Sequence, residues 1–213
     1  MPKTMLLAKR PRGGSLWPRL SAVAVCGALV LTGCSDENSN PESLGPGGTV
    51  NVQKPDDDGY TSLPISLVAL SGNYPPNTTG NTFGCEDLLV SVQSAPTLVE
   101  NETDTVKQAV QFLLDDQHYR HGDPPFTNSV VFSRESLQVE ETTIDGDTVT
   151  VKLSGEVVTR SDCESQRILA QLKQTAERAA HVSQSKITVN DQPLNEVLGI
   201  ADIELGEEIT TES

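Results

Sequence analysis

Apolar residues recur along this chain with two periods. Val106, Ala109, Val110, Leu113 and Leu114 follow i, i+3, i+4, i+7, i+8, the spacing of one helical face. Asp104 or Thr105 opens this predicted helix, with Gln108 three residues after Thr105 in capping-box spacing. It closes around Gln117, before Gly122 and Pro124-Pro125. A second helix carries Ile168, Leu169, Leu172, Ala176 and Ala179 on one side and Gln166, Arg167, Lys173, Gln174 and Glu177 on the other. Ser161-Asp-Cys-Glu164 is its capping box, and it runs to about Ala180.

The period of two marks strands. Ile65–Leu70 predicts a short one, and Leu88, Val90 and Val92 predict another near 86–93. Between them Ser71–Gly80 is rich in turn residues. Leu137 and Val139 alternate towards Asp145-Gly146, and Val149, Val151 and Leu153 alternate away from it. An Asp-Gly pair between alternating segments predicts a hairpin, because glycine accepts the positive φ of a primed turn. Val130–Phe132 predicts a short strand, Ile187 and Val189 a last one, and Asn190-Asp191 a turn. Four to five strands, each apolar on one side, and two amphipathic helices predict an α+β fold. Its expected form is a two-layer sandwich, a mostly antiparallel sheet with both helices on one face.

The ends of the chain follow other patterns. Residues 1–19 carry five cations and no acid, and Leu20–Leu31 is an uncharged run of about 12 residues. A basic start followed by a short apolar run is the layout of a secretory signal, and the run is too short to span a bilayer as a helix. The run leads into Leu31-Thr-Gly-Cys34, which resembles the bacterial lipobox. That resemblance implies acylation of the Cys34 thiol and cleavage before it, so that 1–33 is a lipoprotein signal peptide. The alternative is an ordinary signal peptide cut elsewhere. Residues 34–62, rich in Ser, Asn, Asp, Pro and Gly, predict a disordered tether. Asp56-Asp57-Asp58-Gly59 within it lacks the ligand spacing of a calcium loop. The folded domain is expected over 63–199, and an acidic, frayed tail over 200–213.

Charge and cysteines sharpen this picture. The formal net charge is −15, and loss of residues 1–33 would leave ten Lys and Arg against 30 Asp and Glu. Such a surface repels phosphate backbones, so nucleic-acid binding is excluded as a function. Of four cysteines, Cys26 leaves with the signal and Cys34 takes the lipid. Outside the cytoplasm the remaining pair, Cys85 and Cys163, is most simply one disulfide, with two buried thiols as the alternative.

The order of elements, with these residues, resembles the GerMN domain family, named from sporulation and spore-germination proteins. The resemblance spans roughly residues 65–194. Its most specific piece is Ile144-Asp-Gly-Asp-Thr-Val-Thr-Val-Lys-Leu-Ser154, a hairpin and a valine-rich strand ending in Leu-Ser. Ala109-Val-Gln-Phe-Leu-Leu114 and Lys186-Ile-Thr-Val-Asn-Asp-Gln-Pro-Leu194 match as well. Asp115-Asp116 stand where the family has Gly-Pro, Val131-Phe132-Ser133 replace its Ile-Pro, and the cysteine pair is not a general family feature. The resemblance implies a non-catalytic module, often carried by a lipoprotein, related to domains that pack side by side in envelope assemblies.

Candidate chemistry is sparse. Asp115, Asp116, His118, His121 and Asp123 form the best candidate metal cluster, with His118 and His121 converging only if the helix continued that far. A solvated helix end is the expectation, and no metal, cofactor or catalytic residue is assigned. Ser154 lacks the Gly-x-Ser-x-Gly elbow and is expected to end a strand; His181 is expected to cap the second helix. The expected function is a membrane-anchored envelope lipoprotein, not an enzyme. Its domain would bind an envelope protein partner or self-assemble. The alternative is a lipoprotein that binds a small ligand or metal through the His118–Asp123 loop or a cleft between sheet and helices.

Overall fold

A computed structural model describes residues 56–212. The signal-like segment, Cys34 and the tether up to Pro55 lie outside the described residues.

The first strand, β1, is Tyr60–Ala69, followed by β2 (Thr79–Phe83) and β3 (Asp87–Leu98). Helix α1 is Glu102–Asp115, and β4 (Arg120–His121) and β5 (Phe126–Thr127) are two-residue strands. A 3-10 helix covers Ser129–Ser133. The hairpin is β6 (Leu137–Asp145) and β7 (Thr148–Gly155), and α2 is Asp162–Ala179. The chain ends with β8 (Gln184–Val189), β9 (Gln192–Pro193), α3 (Leu194–Val197) and β10 (Glu208–Thr210).

The fold is α+β, but these strands form two sheets rather than one of four to five strands. The first is antiparallel throughout, in the order β10-β2-β3-β1-β5-β4. The second has the order β6-β7-β8-β9, and β7 and β8 run parallel, joined through α2. The helices are not confined to one face of one sheet. Leu63 and Ile65 of β1, the apolar face of α1, Ile168 and Leu172 of α2, Val149 and Val151 of β7 and Ile187 of β8 share one core. Both helices therefore contribute apolar residues to the same interior as the two sheets.

The open side of β1 explains why α2 lies where it does. Ser66 and Val68 direct their backbone groups away from β3, and β5 reaches only Val68 and Ala69. Beyond it, side chains of α2 take the place of a strand. The Ser66 N–H donates to Thr175 Oγ1 at 3.0 Å, and Gln171 Nε2 donates to the Ser66 carbonyl at 3.0 Å. Gln171 Oε1 also accepts from the Ser129 N–H at 2.8 Å. Pro64, on the same side of β1, has no N–H to satisfy.

Several local expectations shift. Helix α1 begins earlier than Asp104, with Asn101 as N-cap accepting from the Asp104 N–H at 3.0 Å. Asp104, not Gln108, is the residue that reaches back, accepting from the Glu100 N–H at 3.0 Å, one residue before the N-cap. In α2 the predicted cap Ser161 accepts from the Glu164 N–H, while Glu164 accepts from Arg160 N–H at 2.7 Å, one residue before the expected donor. Val130–Phe132 belong to the 3-10 helix, nucleated when Asn128 Oδ1 accepts from the Val130 N–H, and not to a strand. At the end of α2, His181 takes φ 53°. Its N–H and that of Val182 donate to Arg178 and Glu177 carbonyls, the paired bonds of a Schellman stop.

Both domain limits move outward. The tether's predicted end at 62 overlaps β1, where Thr61 is already buried. Asp56 Oδ1 accepts from the Asp58 and Tyr60 N–H groups at 3.1 and 2.7 Å, making a turn into the strand. The expected frayed tail instead crosses the domain. Lys173 Nζ pairs with Asp202 Oδ1 at 2.8 Å, Ile203 packs on the core, and β10 lines the edge of β2.

Candidate functional site

The stretch after α1 is where sequence placed the candidate chemistry. The helix stops at Asp115, because Asp116 leaves helical geometry with ψ 131° and its Oδ1 accepts from the His118 N–H at 2.9 Å. No helix carries His118 and His121 to one face, but the loop keeps them near each other: their rings lie 6.3 Å apart, edge to face, with His118 exposed and its Nδ1 3.8 Å from Asp116 Oδ1, and His121 in β4. Asp115 turns to Gln111 Nε2, 2.8 Å away. Among the described residues no group of three or more His, Cys, Asp and Glu is placed to hold a metal ion.

What the fold brings together is narrower. Asp116 Oδ2 lies 2.7 Å from His121 Nε2 and accepts from Asn128 Nδ2 at 3.1 Å. Asn128 is itself buried and donates from the same Nδ2 to the Leu113 carbonyl at 2.8 Å, so the carboxylate is tied to the end of α1. Burial raises the Asp116 pKa, but the hydrogen bonds from His118, Asn128 and His121 outweigh it and hold the carboxyl below its ordinary range.

This pair forms the rim of an apolar groove of about 360 Å³. Strands β1 and β3 supply Ile65, Leu67 and Val92, α1 supplies Phe112, and β5 supplies Phe126. Phe112 is 44% exposed, a large apolar side chain left at the lip. Ser94 also lines the groove, which puts a serine, a histidine and an aspartate around one space. The serine is already committed: its Oγ accepts from the Leu63 N–H at 2.9 Å and donates to the Ala95 carbonyl at 2.7 Å, serving the bulge in β3. Sequence periodicity gives the core face of each element, not the shape between them, so it missed the groove. One signal was visible. Phe112 falls off the apolar face that Val106, Ala109, Val110 and Leu113 define.

Elsewhere the structure bonds Cys85 to Cys163, with Cα atoms 5.7 Å apart. Beside the bridge, Arg167 Nε meets buried Asp87 Oδ2 at 2.6 Å, and the Ser71 N–H donates to Asp87 Oδ1 at 2.9 Å. Together they fasten the β2–β3 corner to α2. Ser154 lies within β7, one residue before its end at Gly155, with its hydroxyl on the Glu140 carboxylate. No described helix is long and apolar enough to cross a membrane.

A family model described as "Germane: Sporulation and spore germination" matches residues 74–195, more than half of the chain. The chain belongs to this family. Among solved structures, the Germane chain is similar to the tandem GerMN domains of the sporulation protein GerM from Bacillus subtilis. That match has 12% identity and a TM-score of 0.44, and covers 77% of this chain and 48% of that one. The chain therefore spans about half the length of that tandem protein. It is also similar to a Clostridium perfringens protein assigned as a lipoprotein, with 14% identity, a TM-score of 0.35, and coverage of 68% and 82%. No curated protein matches.

Proposed function

We propose that this Germane protein is a lipid-anchored protein of the cell envelope whose single domain binds a protein partner without catalysis. The groove beside α1 is the observation that carries the reading. It is open and apolar, and its one carboxylate–imidazole pair is arranged to hold shape. Asp116 accepts from three donors, which makes it an anchor for His121 and the end of α1 rather than a free base. Ser94 spends its hydroxyl on backbone, so the serine and histidine here do not make a nucleophile and its base.

The anchor is the part read from sequence. A basic start, a short apolar run and Cys34 support export and diacylglyceryl attachment, which supplies the two chains that stable anchoring needs. Confinement near a membrane raises local concentration, so a shallow groove with weak intrinsic affinity suffices for a partner held in the same place.

Co-purification tests the reading. The full chain, expressed from its own start and extracted from membranes, should carry Cys34 as its N-terminal residue with added diacylglyceryl mass. It should also bring down a reproducible envelope protein. A precursor that stays intact and soluble, or extraction with no companion across repeated preparations, would contradict it.

A further inference from the structure

We propose that residues 201–212 form a removable strap over β2, and that an extended segment of the protein partner, less acidic than the strap, pairs with β2 in its place. This rests on the partner-binding reading above and adds a second contact, on a different surface from the groove.

The strap shows what shape the site accepts. It engages the outward backbone of β2: the Thr82 N–H donates to the Glu207 carbonyl at 3.0 Å, and the Gly206 N–H donates to the Thr82 carbonyl at 2.7 Å. Further along, the Thr211 N–H donates to the Thr78 carbonyl at 2.9 Å. Ile203 packs on a cluster of Val68, Phe83, Leu89 and Ala170. Gly206 crosses β2 so closely that a Cβ there would lie 2.4 Å from Thr82 Oγ1. A strand that fits therefore carries a branched apolar residue at the place of Ile203 and no side chain at the place of Gly206. Outward backbone groups on an edge strand are the template for strand addition.

The strap itself is loosely held. None of residues 201–212 is buried, whereas Val68, Phe83, Leu89 and Ala170 beneath it are. Segments with few buried contacts open locally at less cost than global unfolding. Gly199, with φ 69° and open space about it, supplies a hinge. Charge also works against the strap. It carries five acids, Asp202, Glu204, Glu207, Glu208 and Glu212, and no base, on a chain of net charge −15. Lys173 answers one of them, Asp202, whose side chain is largely exposed. A strand of the same shape without Glu204, Glu207 and Glu208 keeps every contact described above and meets less repulsion, so charge selects it over the strap. Ile209 leaves with the strap and stays outside the new contact.

Fluorescein-labelled peptides test this against the full chain in detergent, read by anisotropy. One is the strap sequence, Ala-Asp-Ile-Glu-Leu-Gly-Glu-Glu-Ile-Thr-Thr, and the second has its three glutamates changed to glutamine. The second should bind at least tenfold more tightly than the first. A third, the second with aspartate in place of its first isoleucine, should bind at least tenfold more weakly than the second. Gly206→Val sets a side chain against Thr82 and lifts the chain's own strap while sparing the core, so it should bind the second peptide at least tenfold more tightly than wild type does. Thr79→Cys/Thr210→Cys, at hydroxyls 2.8 Å apart, should bridge the strap shut on oxidation and abolish binding. Equal binding of the three peptides, no binding of the second to Gly206→Val at about 1 mM, or equal binding by the bridged and reduced double variant would overturn the inference. So would a covalent heterodimer on oxidising a mixture of the Thr79→Cys and Thr210→Cys chains, which would make a second copy the occupant. A membrane partner that co-purifies equally with wild type and the bridged double variant would leave the partner-binding reading standing and remove β2 from it.

Discussion

Gln171 joins three elements through one side-chain amide. It is fully buried, gives its N–H to the Ser66 carbonyl of β1, and takes the Ser129 N–H at the start of the 3-10 helix. Truncation strands two buried backbone groups, each costing roughly 1–3 kcal/mol. Gln171→Ala should therefore lower unfolding free energy by about 3 kcal/mol in urea titrations. A loss within the range of ordinary surface changes, about 0.5 kcal/mol, would show that water replaces the amide. Two carboxyls predict opposite responses to pH. Asp116 is held below its ordinary pKa, so its contribution is present above the ordinary carboxylate range and is lost as pH falls through the folded value. Asp116→Asn should be less stable at neutral pH, with the gap to wild type closing in acid. Glu177 is pushed above its ordinary value by burial, which outweighs the hydrogen bond from Ser185 and the nearby Lys173. Its ionisation disfavours the fold, with the favourable term present below the unfolded pKa and lost as pH rises through the folded one. Glu177→Gln keeps an acceptor for Ser185 and should gain stability at pH 7 but not at pH 3. Urea midpoints at the two pH values read both variants.

At the scale of elements, local chemistry was legible and long-range pairing was not. Helix α2 and the β6–β7 hairpin stand where periodicity and caps placed them, because their signals lie within the segments themselves. Asn190 and Asp191, with φ 51° and 65°, make the expected turn. Strand β2 hid in a stretch rich in Thr, Asn and Gly, whose pairing comes from β3 and from β10 about 130 residues away. Strand β10 buries none of its three residues and so has no apolar alternation to read. The division into two sheets was equally invisible, since a strand's sequence shows which residues are apolar and not which strand lies beside it; β1, for one, buries Ile65 and Leu67 in one cluster and Val68 in another. Within the candidate site, Asp116 and His121 were legible as residues, whereas their pairing depends on Asn128 and on α1 stopping at Asp115. The bridge between Cys85 and Cys163 fastens one of the long-range corners. It closes 78 residues, for which chain entropy gives roughly 4 kcal/mol. A reducing agent should lower the urea midpoint accordingly while the far-ultraviolet dichroism at zero urea persists. An unchanged midpoint would mean that the Asp87–Arg167 pair alone secures the corner.

For the whole molecule, charge and position carry the reading. A net charge of −15 opposes self-association of an exposed apolar lip and disfavours acidic partners, and the proposed anchor would hold the domain at a membrane surface. Under the proposed reading a partner would meet the domain at the groove, whose lip Phe112 forms. The most direct measurement is photo-crosslinking in intact cells, with benzoylphenylalanine placed at 112 and, separately, at 209. The account predicts a discrete cross-linked envelope protein from position 112, absent from position 209 and lost when Cys34→Ser prevents anchoring. No adduct at 112, or the same adducts from both positions, would contradict it.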